Sequence, residues 1–270
     1  MGKEKSKRKL FRIFDAKELR ENKFKTISYF VLRLIVIGIL VFNIVQGHWE
    51  SLMTCVLTLI LFLIPSFVEN KMKIDVPDVL EVILILFVFS ANIMGELGSF
   101  YERVPFWDTM LHTLNGFICA GVGFGLINIL NVNENVKINL SPVFVCLFSF
   151  CFSMTVGTVW EFFEFAMDFF FGKDMQKDTV VNTINSVLLT GGLNEITTVE
   201  GIAETTVNGN SLGINGYLDI GIIDTMKDLF VNFIGAVVFN IAGFFYLIGK
   251  GKHTKFINNF IPSRIVDEKK

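Results

Sequence analysis

The sequence lacks the common signatures of catalysis and of metal chelation. It contains no HExxH motif, no serine nucleophile elbow, no Walker loop, no EExxxR pair of intramembrane proteases and no acid-phosphatase pattern of lysine, arginine and two histidines. Its 4 cysteines all fall inside apolar runs without CxxC spacing, which excludes a disulfide framework and a metal knuckle. They are Cys55, Cys119, Cys146 and Cys151. We therefore expect no disulfide partner, and the motifs assign no reaction.

Charged residues are scarce, at 19% of the chain, and the net charge is only -2. Basic residues gather at the two ends and acidic residues gather in residues 161–228, so we expect no basic surface for nucleic acid. Apolar residues make up 52% of the chain, and the mean hydropathy is +0.56. This composition is typical of an integral membrane protein whose main partner is the lipid bilayer.

Six apolar runs have about the 20 residues that a helix needs to cross a bilayer. They predict an all-α fold, a polytopic transmembrane bundle of six helices. The fifth run is the longest, so at about 1.5 Å per residue it must tilt or project beyond the hydrocarbon layer. The runs are residues 27–46, 51–68, 79–97, 107–130, 142–171 and 224–247.

The distribution of lysine and arginine predicts the orientation. Most of the 24 basic residues lie in residues 1–26, in the second and fourth connections and in residues 248–270. The positive-inside rule then puts both termini in the cytoplasm and the protein in the plasma membrane. We expect a basic cytoplasmic arm at 1–26 with an interfacial helix, a membrane domain at 27–247 and a cytoplasmic tail at 248–270.

One long connection, residues 172–223, joins the fifth and sixth helices on the predicted external side. Val180, Val181, Ile184, Val187 and Leu188 recur at helical spacing and predict a short amphipathic helix on the membrane surface. Residues 196–220 are rich in Thr, Val, Gly and Asn, and the turn-like residues 208–210 and 215–216 predict a hairpin. A loop of this length is often functional, and we interpret it as a lid.

Polar residues inside the membrane runs are rare and expensive, at about 2.5 to 3.5 kcal/mol for a charge at a helix centre. Three of the predicted helices carry such residues at i, i+4 or i, i+3 spacing, which keeps each set within about 60 to 80° on one face. The sets are Asp108, His112 and Asn115 on the fourth helix, Glu161, Glu164 and Asp168 on the fifth, and Asp224, Asp228 and Asn232 on the sixth.

The predicted depths of these residues agree. At about 1.5 Å per residue, His112, Glu164 and Asp228 lie roughly 6 to 10 Å below the outer boundary, and Glu161, Asn115 and Asn232 lie about a turn deeper. If the three faces meet, they form one acidic, histidine-containing pocket that opens outward. Glu96, at the end of the third helix, is a further candidate for this pocket.

Simpler interpretations exist for several of these residues. Asp108, Asp168 and Asp224 lie near helix ends, where carboxylates are solvated or cap a helix. Asn115 and Asn232 fit interhelical hydrogen bonds, and a buried His112 can serve packing alone. A set of glycines fits close helix packing: Gly116, Gly121, Gly123, Gly125 and Gly235.

Two carboxylates are harder to explain by packing. Glu161 and Glu164 lie one turn apart in an apolar run, so they should not both ionise without a cation or a donor between them.

Three segments resemble the motifs of the YjdF-like bacterial membrane proteins. They are residues 106–117 (FWDTMLHTLNGF), residues 157–165 (GTVWEFFEF) with Asp168, and residues 224–236 (DTMKDLFVNFIGA). The similarity covers roughly residues 79–247. It implies a membrane topology and candidate residues, but no reaction.

The order of WD-x3-H, E-x2-E and D-x3-N-x2-GA is also similar, more distantly, to the VanZ-like proteins. That resemblance implies a link to the cell envelope and to glycopeptide tolerance. The chain departs from the VanZ-like E-x2-Q, because Glu164 stands in place of Gln, and its loop at 172–223 is longer than that pattern expects.

Three functions fit these observations. In the first, the pocket binds a cell-envelope or lipid-linked substrate or a divalent metal. The metal ligands, or the acid and base groups, are then His112, Glu161, Glu164 and Asp228. Carboxylates favour Mg, Mn or Ca, and an added imidazole favours Mn or Zn. The same carboxylates can form a proton-coupled transport path, for which Glu81 and Asn92 are the only inward continuation. The third alternative is a non-catalytic membrane scaffold.

Overall fold

A computed structural model describes residues 23–131, 140–191, 194–249 and 255–265. Six of its helices are long and apolar enough to cross a membrane, which confirms the predicted all-α polytopic bundle. We label them α1 to α6. They are α1 (Lys23–Gln46), α2 (Trp49–Met72), α3 (Asp78–Leu97), α4 (Trp107–Asn131), α5 (Pro142–Phe171) and α6 (Ile222–Ile248).

Two of the helices are irregular. In α2 the α-helix stops at Leu61, a second turn spans Ile64–Phe67 around the buried Pro65, and a π-helical turn spans Val68–Met72. Proline lacks the N–H that would continue the first helix, which explains the break. In α3 the α-helix Asp78–Phe89 changes to the π-helix Ser90–Leu97. The membrane face on which α5 ends and α6 begins is called the loop side below.

The chain divides into two compact units. Unit 1 contains residues up to Thr155 and from Val231 onward, and unit 2 contains residues 156–230. In unit 1, α1, α2 and α3 pack around Val36, Phe62 and Ile85. A second cluster joins α3, α4 and α6 through buried apolar residues that include Leu80, Phe124 and Phe239.

Two glycines let α4 and α6 approach each other through their backbones. A Cβ atom on Gly116 would collide with the carbonyl of Asn232, and a Cβ atom on Gly235 would collide with the carbonyl of Thr113. Small residues at such crossings allow the closest packing of membrane helices. The predicted packing role of these two glycines is confirmed.

The segment after α6 packs onto unit 1 instead of leaving it. A 3-10 helix, Lys255–Phe260, buries Ile257 and Phe260 in the second cluster. Strand β8 (Ser263–Arg264) pairs antiparallel with β1 (Ile74–Asp75), the strand between α2 and α3. Part of the predicted tail at 248–270 is therefore an ordered element of the bundle. The predicted interfacial helix of the N-terminal arm lies outside the described residues.

Unit 2 contains the end of α5, the start of α6 and short strands between them. The strands pair antiparallel: β2 (Val180–Val181) with β7 (Tyr217–Leu218), β3 (Ile184–Ser186) with β4 (Thr197–Val199), and β5 (Thr206–Val207) with β6 (Asn210–Ser211).

The predicted amphipathic helix at 180–188 is wrong. Its residues form β2, β3 and the start of a 3-10 turn, Leu188–Thr190. Val180, Val181 and Ile184 are β-branched, which favours strands where partners exist, and the partners here are distant in sequence. The predicted hairpin is confirmed at Asn208 and Gly209, which both have positive φ and join β5 to β6.

Candidate functional site

The first turns of α4 place a carboxylate against an imidazole. Asp108 Oδ1 lies 3.4 Å from His112 Nε2, across one helical turn. His112 is buried, with 8% of its surface exposed, whereas Asp108 is partly exposed. Asp108 also lies in the first turn of the helix, where backbone N–H groups favour negative charge. Two metal-ligating groups thus lie together near the loop side in unit 1.

One turn deeper, a pair of asparagines joins α4 to α6. Asn115 donates from Nδ2 to Oδ1 of Asn232 at 3.0 Å, and Asn232 is fully buried. The Nδ2 of Asn232 in turn faces the carbonyl of Ser153 at 3.5 Å. These contacts give both asparagines the interhelical role that was one of the two interpretations of the sequence.

Two serines of α5 attach that helix to α4 in the same layer. Ser153 donates to the carbonyl of Gly116 at 2.8 Å, and Ser149 donates to the carbonyl of Ala120 at 2.7 Å. Both serines are fully buried. Sequence reasoning missed both serines, because single serines in an apolar run are common and their partners are backbone atoms.

The part of α5 in unit 2 buries two carboxylic acids. Glu161 and Glu164 are both buried, one turn apart. Trp160 donates from Nε1 to Oε1 of Glu164 at 2.7 Å. This hydrogen bond fixes one oxygen of Glu164.

The next carboxylate of α5 holds the loop. Asp168 accepts the backbone N–H groups of Met175 at 2.6 Å and Gln176 at 2.8 Å, one on each oxygen. Asp224, at the start of α6, accepts the backbone N–H of Lys177 at 2.9 Å. These contacts give Asp168 and Asp224 the helix-end role that was the alternative to a pocket.

A third aspartate, Asp219, anchors the turn that leads into α6. It accepts the backbone N–H groups of Thr179 at 2.6 Å, Ile223 at 2.8 Å and Gly221 at 3.3 Å. Partial burial acts to raise the pKa of Asp219, but these hydrogen bonds outweigh it and hold the pKa below its usual value. The nearby Asp178 shows the opposite effect: desolvation and the charges of Asp174 and Asp219 raise its pKa.

Two further predicted residues differ in burial. Asp228 on α6 is 1% exposed, and its Oδ1 lies 4.0 Å from Nζ of the more exposed Lys227. Glu96, at the end of α3, is exposed, in contrast to the buried His112.

The sequence analysis missed an ionic cluster at the opposite ends of the helices in unit 1. Glu81 on α3 is 2% exposed, forms an ion pair with Lys25 of α1 and accepts a hydrogen bond from Tyr29 at 2.6 Å. Lys25 also donates to Asp78 at 3.0 Å. The available signal for this cluster was helical spacing of polar residues at the first turns of two helices. The pairs are Lys25 with Tyr29, and Asp78 with Glu81.

Comparison of the chain with known protein families supports the membrane architecture. A family model described as predicted membrane protein (DUF2238) matches residues 28–249, from α1 to α6. The chain belongs to this family. The likeness to VanZ-like proteins stays a prediction.

The chain is also similar to a protein of Thermotoga maritima that is described as an uncharacterized protein. It is 26% identical over 104 residues, which are 38% of this chain and 52% of the relative. The aligned part thus covers about half the length of the relative. No solved structure matches the chain.

The donor groups of this DUF2238 protein allow two kinds of chemistry. An imidazole and carboxylates together are ligands for Mn or Zn, and buried carboxylic acids can also exchange protons. The pair of Asp108 and His112 in unit 1 and the acids Glu161, Glu164 and Asp228 in unit 2 supply both kinds of group.

Proposed function

We propose that this membrane protein binds a divalent cation on its loop side, through Asp108 and His112 of α4. In unit 2, the buried acids Glu161, Glu164 and Asp228 would exchange protons with a bound molecule. The observation that carries the proposal is the 3.4 Å contact between Asp108 and the buried His112 in a membrane-spanning helix. Such groups are costly in a membrane and mark functional sites by default.

The choice of ligands favours a transition metal. An imidazole beside a carboxylate shifts the preference from Mg or Ca toward Mn or Zn. A set of two protein ligands leaves coordination positions for water or for an oxygen of a bound molecule. A cell-envelope or lipid-linked substrate remains the class that a membrane site of this kind would serve.

The alternatives have weaker support. A transport path needs an inward continuation, and Glu81, its candidate, is already neutralised by Lys25 and bonded to Tyr29. A scaffold accounts for Asn115, Asn232, Asp168 and Asp224, but it does not require a buried imidazole beside a carboxylate.

The test is the metal content of the whole protein. The chain is purified in non-ionic detergent without chelators and without a histidine tag, dialysed against Mn²⁺ or Zn²⁺, and measured by elemental mass spectrometry. We expect about one divalent ion per chain. His112→Ala and Asp108→Asn should each weaken metal affinity by about tenfold or more.

Matched controls separate the site from the surface. His48 and Glu102 are both exposed, so His48→Ala and Glu102→Gln should leave metal affinity unchanged. An unmutated protein that holds no more metal than His112→Ala after dialysis would contradict the proposal.

A further inference from the structure

The hairpin of β3 and β4 in unit 2 ends in an apolar tip. Residues 179–194 contain no charged residue, although acidic residues flank them at Asp178 and Glu195. At the tip, Leu188 is 87% exposed and Ile196 is 68% exposed, and the neighbouring Val187 and Leu189 are exposed as well. So many exposed aliphatic side chains in a short segment are unusual for a surface that faces only water.

The described residues of the tip are hydrogen-bonded to one another. Thr190 Oγ1 lies 2.8 Å from the carbonyl oxygens of both Val187 and Glu195, between which its single hydroxyl proton is shared. Ser186 Oγ accepts the backbone N–H of Leu188 at 3.1 Å. Backbone polar groups that are bonded within the segment reduce the cost of moving it into an apolar medium.

The helix ends that flank the loop of unit 2 indicate which apolar medium is near the tip. Its loop leaves the membrane at the end of α5, where Phe169, Phe170 and Phe171 are exposed, and it returns at the start of α6, where Ile222 is exposed. Exposed Phe and Ile side chains at the helix ends are apolar surface suited to the boundary between headgroups and acyl chains. The loop is therefore tethered at both ends to the membrane surface.

The composition of the tip favours lipid over a protein partner. The tip residues described here, Val187 to Gly191 and Asn194 to Ile196, include no Trp, Tyr or Arg, the residues that dominate protein–protein hot spots. Apart from Glu195 these residues are uncharged, and short aliphatic segments are suited to the boundary between headgroups and acyl chains.

We propose that the tip of the β3–β4 hairpin, formed by Val187, Leu188, Leu189 and Ile196, inserts into the membrane surface from which the loop emerges. The hairpin is thus an anchor that holds the strands of unit 2 against the bilayer. This inference is independent of the cation site, because it uses none of its residues.

The experiment compares two leucines of the same loop. Leu188→Cys and Leu212→Cys are each labelled with an environment-sensitive fluorophore in the full chain, and the signal of the labelled unmutated protein is subtracted for its own cysteines. Leu212 is exposed but follows β6, away from the tip in sequence. The labelled proteins are reconstituted into phosphatidylglycerol and phosphatidylethanolamine vesicles.

We expect the label at position 188 to show blue-shifted emission, quenching by nitroxide-labelled lipid and loss of quenching by aqueous iodide. The label at position 212 should show the reverse. Equal iodide quenching at the two positions would overturn the proposal. Shielding of position 188 from iodide without quenching by nitroxide-labelled lipid would also overturn it, because the cover would then be protein, for example a second copy of the chain.

A charge at the tip provides a second measurement. Leu188→Asp should restore iodide quenching of a label at position 189, introduced as Leu189→Cys, while Leu212→Asp should not. Because all three side chains are exposed, none of these changes opens a cavity in the fold. Continued shielding of position 189 beside Leu188→Asp would contradict insertion.

Discussion

Asn115 and Asn232 form a hydrogen bond of 3.0 Å between α4 and α6, at the level where the two helix backbones are closest. Gly116 and Gly235 permit the approach, and the asparagines bond across it. The candidate ligands Asp108 and His112 lie on the loop side of this asparagine pair, and the apolar cluster of Phe124 and Phe239 lies on its other side. The bond therefore links the packing of unit 1 to the residues proposed to bind a cation.

Loss of the asparagine bond should destabilise the protein moderately. Asn232→Ala removes the partner of Asn115 and the contact to the Ser153 carbonyl. We expect the free energy of unfolding to fall by about 1 kcal/mol, because hydrogen bonds between membrane helices contribute only modestly to stability. Reversible unfolding in bicelles measures it. Asn70→Ala is the control, because Asn70 is exposed and bonds only to Ser66 of its own helix. A double-mutant cycle with Asn115→Ala that shows no coupling would contradict this role.

The glycine contact predicts a sharper effect. Gly116→Ala places a Cβ atom against the carbonyl of Asn232, so we expect a loss of about 1 to 3 kcal/mol from overpacking. Gly38→Ala is the matched control, because a Cβ atom there meets nothing within 4 Å and the helix should gain about 0.5 to 1 kcal/mol. Unfolding midpoints of the two variants should move in opposite directions. Midpoints that move together would mean that α4 and α6 are not packed as described.

The sequence was sufficient where local pattern decides the structure. The apolar run at 142–171 corresponds to α5, and the candidate acids Glu161, Glu164 and Asp228 are buried. It was insufficient where the partner is distant along the chain. Val181 becomes a strand residue because Tyr217 lies opposite, and Asp168 holds the loop because Met175 and Gln176 return to it. No periodicity within 180–188 encodes those partners.

The ionic cluster at the other end of unit 1 should be sensitive to loss of either charge. Lys25→Met leaves the buried Glu81 without its cation, and removing one partner of a buried pair costs about 3 to 5 kcal/mol. Replacing both, as Lys25→Met with Glu81→Gln, should recover much of that loss. Lys23→Met is the control, because Lys23 is exposed at the same end of α1. The measurement is the free energy of unfolding in bicelles, and a double variant as unstable as Lys25→Met would contradict the pairing.

The anchoring of the loop by Asp219 should depend on pH. Its pKa in the folded protein lies below the ordinary value of 3.8, because the backbone N–H groups of Thr179, Ile223 and Gly221 favour the ionised carboxylate. A lowered pKa means that the stabilisation is fully present above about pH 4 and is lost as the pH falls through the folded-state value. The protection factors of the amides of Thr179 and Ile223, which compare each exchange rate with the intrinsic rate at the same pH, should therefore fall at low pH. In Asp219→Asn the two amides should exchange faster already at neutral pH and respond less to acid, whereas Asp174→Asn, at an exposed position, should behave as the unmutated protein. Equal pH profiles for Asp219→Asn and the unmutated chain would show that another group controls this turn.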